Sequence, residues 1–304
     1  MAISAKEVQA LREKTGVGMM ECKRALVATD GDMDKAIEYL REKGLAASVK
    51  KAGRIAAEGA AYATVIDGVG VVVEVNAETD FVGKNELFVN FVHGVAAVVA
   101  KENPADLDAL MAAPYGNGRT VQEEQQEMVL VIGENIKVRR FARFQNGVSV
   151  SYVHAGGKIG VLVNFETDLA PEKVETIGKD VAMQIAAMNP RFWDKAQVDQ
   201  STLDEEEKIM KVQMENDPKM AGKPEKVLEG IIKGKMGKFY KENCLLQQEF
   251  VKDGSMSVEE YIASAAKAAG GAVTFKDAIR FEKGEGIEKK QENFAEEIAK
   301  MVKG

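Results

Sequence analysis

The sequence contains few of the side chains on which most enzyme active sites depend. Its 304 residues include two histidines and two cysteines, and the cysteines lie far apart, at Cys22 and Cys244. Two histidines provide little general-base capacity near neutral pH. Two isolated cysteines make neither a disulfide framework nor a zinc pattern, and they fit a reducing compartment. We therefore expect no cofactor and no catalytic residues.

An excess of positive charge is lacking, as is any long apolar segment. The net charge is −7, whereas a surface that neutralises phosphates needs clustered Lys and Arg. No apolar run reaches membrane-spanning length, and the N-terminus shows no signal or transit pattern. We therefore expect neither nucleic acid nor a membrane as partner, and a cytoplasmic location. A chain of 304 residues exceeds one typical domain, so we expect two or more, and the 45% hydrophobic content is ordinary for a globular protein with real cores.

A repeated segment occupies the middle of the chain. Residues 74–82 (EVNAETDFV) return 88 residues later as residues 162–170 (LVNFETDLA). Each copy follows a β-branched apolar run and precedes an apolar helical stretch that ends in Asn-Pro. This pattern predicts an α+β fold with a duplicated core of antiparallel sheets. The two copies differ at Phe81, which is Leu169 in the second copy. Where two copies share a scaffold, a position at which they differ suggests a function.

Three short helices are predicted before this core. Ser4 and Glu7 make a capping box, in which the hydroxyl and the carboxylate satisfy free backbone donors at the start of a helix. Apolar spacings of three and four residues then mark two further helices, the last ending near Gly44, with Met19 facing the interior. The predicted first domain is a helical bundle over residues 1–54.

Turn and cap residues divide the rest of the chain. Alternating apolar residues around Asp67-Gly68 predict a β-hairpin with a type I′ turn. Thr120 with Glu123 predicts a second capping box, and a third is predicted to start at Thr202. A returning strand is predicted over residues 273–281.

Two narrow apolar stripes flank Asp217-Pro218 and predict an antiparallel helical hairpin, or coiled coil, that projects from the body. A last amphipathic helix is predicted around residues 294–302. The predicted units after the bundle are a first core subdomain (55–140), a second core subdomain (141–190 and 233–284), the hairpin (191–232) and a C-terminal helical module (285–304).

The Thr-Asp pairs of the repeat have a structural interpretation. Either residue of Thr79-Asp80 can cap the helix that follows, and the same holds for Thr167-Asp168. Capping does not explain Phe81, because the first turn after a cap gains nothing special from an aromatic ring. Since Phe is usually buried, a place in the core is the ordinary expectation for Phe81. A role in binding is the other interpretation of this residue.

Some polar residues admit a chemical interpretation. Glu74, Glu78 and Asp80 point to one face if they lie on a strand, but a hard cation needs more oxygen ligands than these. His154 lies at a strand end beside flexible glycines, where contact residues and catalytic residues are common. A hydrolase or metal enzyme built on these groups is the less favoured alternative, because histidine is scarce.

Several motifs together resemble the bacterial elongation factor Ts family. They are residues 11–26 (LREKTGVGMMECKRAL), 74–76 (EVN), 79–82 (TDFV), 132–135 (IGEN) and 280–288 (RFEKGEGIE). The resemblance extends over essentially the whole chain. One departure is Ala77, where many members carry Cys.

The resemblance implies a guanine nucleotide exchange factor for the translational GTPase elongation factor Tu. It also implies that the N-terminal bundle is ubiquitin-associated-like and docks on the GTPase domain. The pair Asp80 and Phe81 would enter near the nucleotide site and disturb the magnesium ligands. The residues implied as partner contacts are Arg12, Met19 and Met20 in the bundle, Thr79, Asp80, Phe81 and Val82 in the first core copy, and His154 in the second.

A second interpretation is a protein-binding scaffold that carries a ubiquitin-associated-like module but does not drive nucleotide exchange. The sequence leaves open a homodimer or a 2:2 complex with the partner.

Overall fold

The computed structural model describes residues 3–220 and 223–288, which begin with a bundle of three helices. These are α1 (Ala5–Thr15), α2 (Met19–Ala28) and α3 (Met33–Lys51). The capping box predicted at Ser4 and Glu7 is present. The last helix of the bundle does not end near Gly44 as predicted, because Gly44 is buried within α3 and the helix runs on to Lys51.

The first core copy is a three-stranded antiparallel sheet with helices on one face. It comprises β1 (Glu58–Ile66), β2 (Val69–Ala77), α4 (Glu86–Glu102), α5 (Leu107–Ala112), α6 (Val121–Ile132) and β3 (Lys137–Phe144), with β2 central. Asp67 and Gly68 both have positive φ, 49° and 79°, so the predicted type I′ turn is confirmed. The capping box of Thr120 and Glu123 is also confirmed.

Helix α3 docks the bundle onto this copy by packing along α6. Leu130 and Val131 of α6 contact the apolar core of the bundle. The Lys51 ammonium donates to the carbonyl oxygen of Val129 over 3.4 Å. The bundle is therefore held by packing as well as by chain connection.

The second core copy repeats this arrangement. It comprises β4 (Val148–His154), β5 (Ile159–Thr167), α7 (Pro171–Met188), β6 (Glu249–Phe250), β7 (Asp253–Ser257), α10 (Val258–Ala269) and β8 (Val273–Glu282), where α10 is numbered after two intervening helices. Its main sheet has the order β4-β5-β8, so β5 is central and the predicted returning strand is confirmed. A capping box at Ser257 that the sequence analysis missed begins α10.

The repeated motif occupies equivalent places in the two copies. Asn76 lies near the end of β2 and Asn164 near the end of β5, both central strands. The helices that follow, α4 and α7, end at Asn103 and Asn189, which have φ values of 47° and 46°. A left-handed residue of this kind ends a helix, and Asn tolerates it better than most residues. The mixed fold of helices and antiparallel sheets is therefore as predicted.

The predicted boundary between the core copies at residue 140 falls inside β3. That strand pairs with β2 from Lys137 opposite Asn76 to Phe144 opposite Gly70. The ladder needs the whole strand, so the first sheet continues to Phe144.

The two main sheets pack face to face through a layer of apolar side chains. Ala61, Ala63, Val72, Leu162 and Phe281 form the apolar layer between them. The Ala61 N–H also donates to the Gly157 carbonyl oxygen over 2.8 Å, which joins β1 to the turn after β4. The core copies are therefore in direct contact through their sheets, with their main helices on the outer faces.

A helical hairpin leaves the second copy between α7 and β6. It consists of α8 (Gln200–Glu215) and α9 (Glu225–Asn243). The capping box predicted at Thr202 is wrong, because Asp199 caps α8 by accepting the Thr202 N–H. The predicted end of the hairpin at residue 232 is too early, since Phe239 packs with Val198 and Met210 and the second helix continues.

The end of the described chain is a short turn after β8. The C-terminal helix predicted around residues 294–302 lies outside the described residues, as does most of the predicted module over 285–304. Within residues 3–220 and 223–288, no helix has the length and apolar character needed to cross a membrane.

Candidate functional site

The chain leaves β2 into a short loop, residues 78–82, which we call the Phe81 loop. The Phe81 side chain is 81% exposed, the highest fraction of any large apolar side chain among the described residues. The next residue, Val82, is buried and belongs to the core of the first copy. The expectation that Phe81 lies in the core is therefore wrong. An exposed aromatic beside a buried anchor is typical of a side chain that contacts a partner.

The Phe81 loop is fastened to residues that follow α6. The Glu134 carboxylate accepts the N–H groups of Glu78 and Thr79, at 3.1 and 3.0 Å, and the Thr79 hydroxyl, at 2.7 Å. Gly133 ends α6 in the left-handed conformation (φ 88°) directly before Glu134.

A second set of bonds runs in the opposite direction. The Glu78 carboxylate accepts the N–H of Asn135 at 2.6 Å and a guanidinium N–H of Arg54 at 3.4 Å. The Asn135 side-chain amide donates to the Arg54 carbonyl oxygen at 2.8 Å. The loop is thus tied to the end of α6 and to the end of the N-terminal bundle at the same point.

The prediction that Thr79 or Asp80 caps the following helix is wrong. Asn85 caps α4 by accepting the Leu87 N–H at 2.9 Å. A single 3₁₀ turn, Val82–Lys84, separates the Thr-Asp pair from that cap. Thr79 bonds to Glu134 instead, and Asp80 is exposed beside Phe81.

The equivalent loop of the second copy is built differently. Leu169 is half-buried against the core of that copy. Thr167 donates to the Ala272 carbonyl oxygen and Asp168 accepts the Ala272 N–H, both at 2.7 Å, so this pair does not cap a helix either. The first copy therefore presents Phe81 to solvent, whereas the second copy packs the equivalent Leu169 against its core.

The bundle residues implied as partner contacts are exposed. Met19 and Met20 are 41% and 62% exposed at the start of α2, and Arg12 is exposed near the end of α1. The prediction that Met19 faces the interior is wrong, because the buried face of α2 begins one turn later, at Cys22. Two adjacent exposed methionines provide an adaptable apolar surface.

His154 ends β4 at the edge of the second copy and is exposed. Its Nδ1 lies 2.9 Å from the Tyr152 hydroxyl, and the two ring centres are 5.8 Å apart. The following turn contains Ala155 and Gly156 with positive φ. The imidazole is therefore oriented by Tyr152 at a tight turn on the surface.

Glu74, considered above as a metal ligand, is a buried ion-pair residue. Its carboxylate pairs with Arg139 and Arg140 and accepts the N–H of Gly284 at 2.8 Å. Burial acts to raise the pKa of Glu74, but the bonds from Gly284, Asn76 and the two arginines outweigh burial and hold its pKa below the usual value. Among residues 3–220 and 223–288, no group of three or more His, Cys, Asp or Glu side chains is arranged to hold a metal ion.

The structure brings Thr79, Asp80, Phe81 and Val82 together in one loop, while Arg12, Met19 and Met20 lie in the bundle and His154 in the second copy. Sequence reasoning missed the role of Glu134 in holding the loop. A signal was available, since Gly133 is a typical helix end and places the next two polar residues, Glu134 and Asn135, immediately beyond α6. The separation of 55 residues between Thr79 and Glu134 hides their contact in the sequence.

An exposed aromatic side chain on a loop fixed at both ends is typical of proteins that bind another protein. Comparison with known proteins shows the family. A family model described as elongation factor TS matches residues 78–285, from the first residue of the Phe81 loop to the turn after β8.

Full-length relatives carry the same description. The chain is 47% identical over 304 residues to elongation factor Ts of Clostridium botulinum (strain Eklund 17B / Type B), with 99% of each chain covered. It is 48% identical over 303 residues to elongation factor Ts of Clostridium perfringens (strain SM101 / Type A), covering 98% of this chain and 99% of the relative. The chain belongs to the elongation factor Ts family, and it is accordingly a translation elongation factor.

Proposed function

We propose that the protein is a guanine nucleotide exchange factor for elongation factor Tu. The single observation that carries this proposal is the side chain of Phe81, which is 81% exposed on a loop fixed at both ends. Family membership gives the partner, and the exposed ring gives the group that acts on it. Exchange by differential binding needs a rigid surface and no acid, base or nucleotide site in the factor itself.

In the proposed mechanism, Asp80 and Phe81 enter the partner beside its bound GDP. The Phe81 ring wedges between side chains of the GTPase, disturbs the ligands of its magnesium ion and loosens its phosphate loop. Thr79 and Val82 hold the ends of the wedge, the first through Glu134 and the second through the core. GDP then leaves, and GTP binds the emptied site.

Linkage determines how much of this effect one side chain can supply. A factor that binds the empty GTPase more tightly than the GDP form must weaken GDP binding by the same ratio. A ratio of 10⁴ requires about 5.5 kcal/mol of differential affinity, whereas burying one Phe side chain gives about 1.5–3 kcal/mol. Phe81 therefore acts together with other contacts and with the loss of magnesium coordination.

We assign the other contacts to two surfaces. Arg12, Met19 and Met20 make the docking surface of the bundle, which we place in the ubiquitin-associated-like class. His154, held by Tyr152, makes the contact of the second core copy. We further infer that the helical hairpin is a coiled coil that supports dimerisation or contacts between domains, and that the protein acts in the cytoplasm.

Release of a fluorescent GDP analogue from elongation factor Tu tests the proposal. Substoichiometric amounts of the chain should accelerate release, because an exchange factor turns over. A chain that binds elongation factor Tu but leaves the release rate unchanged would be a scaffold without exchange activity, and the proposal would be wrong.

A further inference from the structure

We propose that Glu134 is a positioning residue for nucleotide exchange, which acts by holding the backbone of the Phe81 loop in its binding conformation. The inference rests on the proposed function. Both carboxylate oxygens of Glu134 are used: Oε2 accepts the N–H groups of Glu78 and Thr79, and Oε1 accepts the Thr79 hydroxyl. Hydrogen bonds to a carboxylate are stronger than those between neutral groups.

The contact is reciprocal, which makes it a clamp of two segments. Residues 78–79 donate backbone N–H groups to the Glu134 side chain, while Asn135 donates its backbone N–H to the Glu78 side chain. Asn135 is itself buried, and its amide reaches the Arg54 carbonyl oxygen. Neither segment can move without breaking bonds in both directions.

A second anchor lies directly after Phe81. Val82 is 6% exposed, within the core of the first copy. Gly83 lies so close to Gly59 that a Cβ atom at position 83 would lie 2.9 Å from the Gly59 carbonyl oxygen. Two residues, Asp80 and Phe81, therefore span the space between the Glu134 clamp and a packed turn.

This arrangement answers a problem that an exposed wedge residue creates. An apolar side chain that packs into its own core is positioned by that core, as Leu169 is in the second copy. The Phe81 ring is 81% exposed and must be positioned through its backbone. A loop already held in its bound conformation loses less conformational entropy on binding, so more of the contact energy remains for displacing the nucleotide.

The expected effect falls on the maximal exchange rate. Glu134→Ala should lower the saturating rate of GDP release from elongation factor Tu roughly tenfold, which corresponds to ordering about one backbone residue. The concentration giving half the maximal rate should change less than threefold, because the bundle and His154 surfaces are intact. Glu134→Gln should retain most of the rate, since its amide oxygen can still accept the backbone N–H groups.

Glu166→Ala is the matched control. Glu166 is exposed in the second core copy and pairs with Lys276 at 2.8 Å, away from the Phe81 loop. The same substitution there should leave the rate unchanged.

A double-mutant cycle separates positioning from a general effect on the fold. If Glu134 acts through Phe81, Glu134→Ala should have no further effect in a Phe81→Ala background. A tenfold loss in both backgrounds would overturn the inference. Amide hydrogen exchange provides a readout without a partner: Glu134→Ala should speed exchange at Glu78 and Thr79, while β2 amides such as Val73 keep their protection.

The controls also separate this inference from the function on which it rests. A wild-type chain that fails to accelerate GDP release would overturn both the exchange function and the role of Glu134 in it. An active wild-type chain with an equally active Glu134→Ala variant would overturn the positioning role alone.

Discussion

The buried carboxylate of Glu74 accepts the backbone N–H of Gly284, 2.8 Å away and 210 residues further along the chain. Glu74 lies on β2, six residues before Asp80 of the Phe81 loop. Gly284 follows the last strand of the second core copy. Arg139 and Arg140 of β3 pair with the same carboxylate. One side chain therefore joins the central strand of the first copy to the end of the second.

Removing this carboxylate should destabilise the whole core. Glu74→Ala leaves two arginines and a backbone N–H without their common acceptor, and we expect a loss of about 3 kcal/mol in the free energy of unfolding. Urea denaturation measures this loss. Glu175→Ala, which breaks an exposed ion pair with Lys179, is the control and should change stability by less than about 0.5 kcal/mol. Equal effects of the two substitutions would contradict the role of Glu74.

The same residue predicts a pH dependence. The pKa of Glu74 is lowered from its usual 4.5 in the folded protein, so between the folded and unfolded values the unfolded chain binds more protons. Its contribution is therefore present above about pH 4.5 and is lost as pH falls through the folded pKa. The stability difference between wild type and Glu74→Gln should shrink from pH 6 to pH 3. A constant difference would show that the carboxylate charge is not involved.

The surroundings of two glycines predict opposite effects of substitution by Ala. A Cβ atom at Gly160 would lie 3.1 Å from the Ala61 carbonyl carbon in the facing sheet, so Gly160→Ala should destabilise the protein by about 1–3 kcal/mol. Gly230 is exposed within α9, with open space around it, so Gly230→Ala should stabilise the hairpin by about 0.5–1 kcal/mol. Thermal unfolding followed by circular dichroism measures both, and a stabilising Gly160→Ala would be inconsistent with the packing.

Contacts of the bundle should act on affinity more than on rate. Met20 is 62% exposed and remote in sequence from the Phe81 loop. We expect Met20→Ala to raise the half-saturating concentration for GDP release about three- to tenfold and to change the maximal rate less than twofold. Val49→Ala, at a 70% exposed position of the same bundle, is the control. A loss of maximal rate in Met20→Ala would assign the bundle a direct part in displacing the nucleotide.

Local signals in the sequence predicted local features of the fold. The capping boxes at Ser4 and Thr120 and the Asp67-Gly68 turn involve residues within three positions of each other, and all are present. The repeat also predicted two equivalent core copies, because identical residues in equivalent surroundings favour the same strand and helix.

The error at Thr202 was local, since Asp199 caps α8 instead. The error at Thr79 arose because a distant residue decided the outcome. Thr79 is an acceptable helix cap by local criteria, but Glu134, 55 residues away, occupies its hydroxyl and N–H groups. The exposure of Phe81 is equally invisible in composition, since Phe is usually buried. The proposal that Phe81 contacts a partner came from the resemblance to a family and not from the apolar pattern.

The exposed ring of Phe81 is the centre of the proposed function, and one measurement tests it most directly. The saturating rate of fluorescent GDP release from elongation factor Tu should fall about 10- to 100-fold in Phe81→Ala, the equivalent of one buried Phe side chain, while binding to nucleotide-free elongation factor Tu persists. Val251→Ala, which shortens another exposed apolar side chain (47% exposed), should release GDP at the wild-type rate. A Phe81→Ala variant with an unchanged saturating rate would show that the Phe81 ring does not drive GDP release.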